Sequence, residues 1–154
     1  MKISSKARHA IQSMIQLALS VDGQPVTLHQ LTAEQKISSS YMEQLLAALR
    51  LKGLVTGTRG PGGGYRLGKP AEAIDIGEIL LVVHDGQLVR DPHPDEENAQ
   101  FFRMWCELSR LILHYLQGIT LADLMEDDAV QAHLHIQRLV KDHDVEVKSE
   151  LKKA

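Results

Sequence analysis

Apolar residues in the first fifty positions recur at helical spacing in three blocks. In SKARHAIQSMIQLAL, Ala7, Ala10, Ile11, Met14, Ile15, Ala18 and Leu19 fall on one face of a helix that Ser4 or Ser5 can cap. VDGQPV follows and reads as a turn. TLHQLTAEQK reads as a second, short helix with Thr27 as N-cap and Leu28, Leu31 and Ala33 toward the core. ISSSYMEQLLAALRLKG reads as a third: serines supply the cap, Tyr41, Leu45, Leu46 and Leu49 carry the period, and Gly53 ends it. Helix, short helix, helix is the skeleton of a helix-turn-helix.

Beyond Gly53 the period shortens. LVTGTR and GYRL have strand character and are separated by a Gly-Pro-Gly turn, which predicts a β-hairpin. A hairpin directly after a helix-turn-helix makes a winged helix. The same glycines invite a second reading, because GGYRLGK fits the spacing G-x-x-x-x-G-K of a nucleotide-binding loop. Pro70 follows the lysine, however. It removes the Ser/Thr that would hold magnesium and disfavours a helix at Lys69, so the wing reading stands.

In the back half, FFRMWCELSRLILHYLQGI places Trp105, Leu108, Ile112, Tyr115 and Ile119 at alternating spacings of three and four, with Phe101, Met104, Leu111 and Leu116 widening the stripe. That is too much apolar face for a lone helix, and a two-fold partner helix is the expected cover. DAVQAHLHIQRLV offers a further amphipathic helix through Ala129, Ala132, Ile136 and Val140. The predicted organisation is a winged-helix domain over residues 1–70, a linking helix and effector loop over 71–100, dimerisation helices over 101–140 and a polar tail over 141–154. The fold class is mainly α: a winged helix-turn-helix with a small β-hairpin wing, plus a long C-terminal dimerisation helix.

Composition is that of a globular chain, with 44% hydrophobic and 24% charged residues. No apolar run approaches the length of a membrane span and the N-terminus lacks a signal-peptide core, so a cytoplasmic location without membrane contact is expected. The net charge of −3 hides an asymmetry. Residues 1–70 carry nine Lys/Arg against three Asp/Glu, whereas residues 71–154 carry eight against seventeen. A basic front half suits a polyanion, and an acidic back half must point away from it. No nucleophile, base and oxyanion arrangement can be assembled, so the chain is not expected to be an enzyme.

The stretch SYMEQLLAALRLKGLVTGTRGPGGGYRLGKPAEAIDIGEI resembles the winged helix of the Rrf-type transcription regulators, the family that includes the iron–sulfur regulator IscR and the nitric-oxide sensor NsrR. RGPGGGYRL is similar to its wing signature, and the likeness continues more loosely through ITLADL in the back half. The resemblance implies a homodimer on a partly palindromic operator in double-stranded DNA, and the expected role is that of a repressor. It also implies that Ser38, Ser40, Tyr41, Glu43, Arg59 and Gly60 fall on DNA-contacting positions.

The residues support such roles on their own terms. A recognition helix offers its N-terminal turn to base edges, where Glu43 can accept from cytosine and Gln44 can pair with adenine. The serines can equally serve as helix caps, and Glu43 as a solvated acid. Arg59, ahead of side-chain-free glycines, can enter a narrow minor groove. Arg8 and Arg50, with Lys6, Lys52 and Arg66, suit phosphate contacts.

The expected sensor departs from the family. Cluster-binding relatives place three cysteines between the IGEI helix and the dimer helix, where this chain has HDGQLVRDPHPDEENAQ and none. The place of the last cluster cysteine reads Ala99, and that of a histidine ligand Phe102. With Cys106 alone, no iron–sulfur cluster and no other cofactor is expected. Metal, haem or redox sensing through His84, His93 or Cys106 is the alternative, the last with Arg103 and Arg110 at i−3 and i+4; Asp91 and Asp95 lie in the same acidic stretch. A winged protein-interaction module that does not bind DNA is another alternative, since a fold does not dictate its use. The effector stays open.

Overall fold

The computed structural model describes residues 4–20, 23–86 and 99–126. The chain divides into two compact units, 1–121 and 122–154. Helices α1 (Ser5–Ala18), α2 (Leu28–Gln35) and α3 (Ser39–Leu51) are followed by strands β1 (Val55–Thr58) and β2 (Gly64–Leu67), a 3-10 turn (Ala71–Ala73), α4 (Ile76–Val83), α5 (Ala99–Gln117) and α6 (Leu121–Glu126). The mainly helical fold with one antiparallel hairpin is the predicted winged helix. His93, the helix expected over 129–140 and the polar tail lie outside the described residues.

Helices α1, α2, α3 and α4 each start where a side chain replaces the missing backbone partner. Ser4 accepts from the Ala7 N–H, and Thr27 and Gln30 form a reciprocal capping box. Helix α3 ends at Gly53 as expected, with φ 73°. The Leu54 N–H donates to the Leu49 carbonyl and the Gly53 N–H to that of Arg50, both at 3.0 Å. That pair of bonds is a Schellman motif, and Leu49 and Leu54 are both buried beside it. Helix α4 ends the same way, but with Asp85 rather than glycine in the left-handed region at φ 54°.

The core gathers α1, α3 and α4, with α2 packed on α3. Three faces differ from the expectation. On α1 the buried residues are Ala7, Ala10, Ser13, Met14 and Leu17, while Ile11, Ile15, Ala18 and Leu19 are half-buried. On α3 it is Met42, not Tyr41, that joins Leu45, Leu46 and Leu49 inside. On α2, Thr32 is buried and Ala33 exposed, because the Thr32 hydroxyl returns its bond to the Leu28 and His29 carbonyls within the helix.

The wing pairs Val55 with Leu67 and Thr58 with Gly64. VDGQPV is more than a turn: Val26 exchanges both backbone hydrogen bonds with Tyr65, at 2.8 and 2.9 Å, and adds a bridge to the hairpin. A Cβ on Gly64 would stand 2.6 Å from the Val26 carbonyl oxygen, so this close approach requires glycine. Among the described residues, no helix is long and apolar enough to cross a membrane.

Candidate nucleic-acid interface

Burial of Met42, Leu45, Leu46 and Leu49 turns the opposite stripe of α3 to solvent. Ser40, Glu43, Gln44 and Ala47 recur there at i, i+3, i+4 and i+7, all exposed. Ser38 precedes the helix, and its hydroxyl accepts the Tyr41 N–H at 3.2 Å. Its proton remains available to donate. Glu43 forms no ion pair among the described residues. It therefore stands as an acceptor in a part of the chain otherwise short of acids.

Tyr41 is half-buried, with its ring edge-on to His9 at 5.7 Å and 83°. This ties the first turn of α3 to α1. Burial, with the neighbouring Arg8 charge as a smaller cause, holds the His9 imidazole below its ordinary value of 6.5. His9 Nδ1 is buried without a hydrogen-bond partner among the described residues. One turn further on, Ser13 donates to the His9 carbonyl at 2.8 Å, accepts from Gln35 Nε2 at 2.8 Å and touches Met42 Sδ at 3.5 Å. A single buried hydroxyl thus joins α1, the end of α2 and α3.

The wing tip is a tight turn in which the Gly63 N–H donates to the Gly60 carbonyl at 2.8 Å. Pro61 presets the first central position and Gly62, at φ 77°, supplies the left-handed second one. Arg59 stands at its base, exposed. Arg8, Arg50 and Arg66 are exposed too, and none of the four forms a salt bridge among the described residues. The Arg50 guanidinium and the Tyr65 ring both lie within 3.8 Å of where a Cβ on Gly57 would stand, so Arg50 leans from α3 onto the wing. Lys69 is instead committed to Glu78 at 2.8 Å. Alongside the polar stripe of α3, α1, α3 and the hairpin carry exposed cations, side chains of the kinds that read base edges and neutralise phosphates.

The profile of the Rrf2 family, iron-dependent transcriptional regulators, matches residues 3–127. The chain belongs to the Rrf2 family. The transcriptional regulator IscR of Aliivibrio salmonicida is 39% identical over 136 residues, covering 85% of this chain and 81% of that one. Among solved structures, CymR, the global cysteine regulator of B. subtilis, superposes with a TM-score of 0.68 at 33% identity over 80% of this chain and 95% of its own. The T. potens IscR gives the same TM-score at 34% identity, over 86% and 90%. As an Rrf2 member the chain is a winged-helix DNA-binding transcription regulator, not an enzyme.

The residues present do not fit a thiolate-held iron–sulfur cluster. Such clusters rest on several cysteines, and Cys106 is the only one in the chain. It is 2% exposed on α5. Arg110 reaches Glu107 at 3.6 Å. His84 caps the C-terminus of α4, with Nε2 3.3 Å from the Ser4 hydroxyl. Among the described residues, no group of three His, Cys, Asp or Glu is placed to hold a metal ion.

The expected dimer stripe lies along α5, whose opposite side packs on α4 and carries Cys106. Phe101, Met104, Trp105, Leu108, Leu111 and Tyr115 are exposed, and Ile112 is half-buried. Ile119 lies beyond the end of α5, where its carbonyl accepts the Ile76 N–H. Sequence reasoning passed over His9, Ser13 and Gln35. Only Ser13 left a trace, as a polar residue in step with Ala10 and Met14.

Proposed function

We propose that this regulator acts in the cytoplasm as a homodimeric repressor. It reads a partly palindromic operator through the first turns of α3 and the wing, without a thiolate-held cluster. The observation that carries the reading is the solvent-facing stripe of α3, polar at Ser40, Glu43 and Gln44 and set opposite a wholly apolar buried one. Ser38, Ser40, Tyr41, Glu43 and Gln44 face the major groove, Arg59 and Gly60 the minor groove beside it, and Arg8 and Arg50 the phosphates.

Six large apolar side chains exposed on one face of α5 support the dimer, because a contiguous patch of that kind marks an interface. Trp105, Leu108, Ile112, Tyr115 and Ile119 are assigned to the two-fold contact or its margin. A two-fold contact along this helix of 19 residues, about 28 Å long, sets a winged body on either side of the dyad, where recognition helices must stand ~34–36 Å apart to enter successive major grooves.

Sedimentation of anaerobically purified protein, free and with duplex DNA, tests this together with its ultraviolet–visible spectrum and metal and sulfide content. Two chains per duplex and a colourless, metal-free sample are expected. A DNA-binding monomer would overturn the dimer, and stoichiometric iron and sulfide would overturn the cluster-free reading.

A further inference from the structure

The strand-like segments before α4 and after α5 are joined backbone to backbone. The Ile76 N–H donates to the Ile119 carbonyl at 2.9 Å, and the Leu121 N–H donates to the Ile74 carbonyl at 2.7 Å, around an antiparallel bridge between Asp75 and Thr120. Asp75 also caps α4, its carboxylate accepting from the Glu78 N–H at 2.7 Å. At the centre of this junction is Gly77, buried in the first turn of α4. A Cβ there would stand 2.6 Å from Gln117 Cγ, and 3.1 Å from both the Gln117 backbone nitrogen and Asp75 Oδ1.

Glycine is a poor helix former, and φ at Gly77 is not left-handed, so the backbone itself would accept alanine. What opposes alanine is α5: the Gln117 Cγ would have to move, and the Gln117 backbone nitrogen stands tight behind it at 3.1 Å. A glycine kept in a helix against propensity calls for a packing reason, and here the reason is contact with the last residue of the long helix. Gly118, next in line, differs: a Cβ there would meet only the Tyr115 carbonyl, at 3.3 Å.

From this geometry we infer that Gly77 is a positioning residue that sets the distance between the two recognition helices, and hence the operator half-site spacing. The inference rests on the homodimer proposed above. Helix α4 packs on α1 and α3, and so belongs to the winged body, while α5 carries the two-fold stripe. The Gly77–Gln117 contact therefore lies where the angle between reading head and dimer axis is decided. Relieving a 2.6 Å contact takes about 1 Å of movement, and over the ~12 Å length of α4 that is a tilt of roughly 5°. Carried over the ~17 Å from dyad to recognition helix on both sides, the tilt changes their separation by about 3 Å, close to one base-pair step.

The test measures affinity of wild type, Gly77→Ala, Gly118→Ala and the double variant Gly77→Ala/Gln117→Ala. The probes are the duplex consensus selected by the wild type and copies with the centre one or two base pairs shorter or longer. Gly77→Ala is expected to move the preferred spacing by one base pair and to bind the wild-type spacing about tenfold more weakly. Gly118→Ala should behave as wild type, and removing the Gln117 side chain should bring the double variant back toward it. If the single variant does not fold, Gln117→Ala, which removes the Cγ that Gly77 packs against, carries the test and should widen the range of spacings bound. An unmoved spacing preference in a folded variant, against a wild type that discriminates, overturns the role of Gly77 alone. A wild type indifferent to spacing overturns the dimeric-operator reading and this inference with it.

Discussion

Removing one buried hydroxyl, Ser13→Ala, should loosen the whole helix-turn-helix. Among the described residues, Ser13 Oγ is the only hydrogen-bond partner of Gln35 Nε2, and Gln35 Oε1 is already buried without one. Alanine leaves the Gln35 amide stranded at the junction of three helices. An unsatisfied buried polar group costs about 1–3 kcal/mol. Alanine's better helix propensity returns about 0.5 kcal/mol, so the net loss is about 0.5–2.5 kcal/mol. With a urea slope of about 2 kcal/mol/M, the unfolding midpoint should fall by roughly 0.25–1.25 M, measured at one fixed protein concentration because a dimer's stability depends on it. The double variant Ser13→Ala/Gln35→Leu, which removes both partners, should lose less than the sum of the singles. A neutral Ser13→Ala, or strictly additive singles, would refute the clamp.

Arg59→Ala should weaken operator binding about tenfold, lower the salt dependence by about one unit of slope, and relax preference for narrow-groove sequence flanking the half-sites; unchanged affinity at every salt concentration would contradict the wing assignment. Glu43→Ala should broaden the selected consensus at one position per half-site, a discrimination of about 1–3 kcal/mol, more than it lowers overall affinity. The same consensus from mutant and wild type would remove Glu43 from the specificity set. Because the folded state disfavours the charged His9 imidazole, the unfolded chain binds more protons and stability falls as pH drops below the ordinary value of 6.5. His9→Phe keeps a ring against Tyr41 and should flatten that acid limb in denaturation curves; superimposable pH profiles would count against it.

The winged helix was legible because its signals are local. Helical spacing of Leu45, Leu46 and Leu49, a left-handed Gly53 and the Gly60–Gly63 turn each act within a few residues. The faces of α1 and α3 were harder, since Ile11 against Leu17 and Tyr41 against Met42 are decided by what packs opposite rather than by hydrophobicity. Ser13 inside α1 is the same lesson with a polar residue: its place follows from Gln35 and Met42, far along the chain. Val26 pairing with Tyr65, and Gly77 meeting Gln117, are single-residue contacts with no period to betray them. The candidate interface was anticipated on α3 and the wing, whereas the support beneath it, His9 and Ser13, was not.

Selection of bound duplexes from a random DNA pool by the purified full chain tests the central claim most directly. The account predicts a dyad-symmetric consensus whose half-sites are centred about one helical turn or a multiple of it apart, roughly 10–10.5 base pairs per turn, with binding that weakens as salt rises. Recovery of the starting pool without enrichment would contradict it.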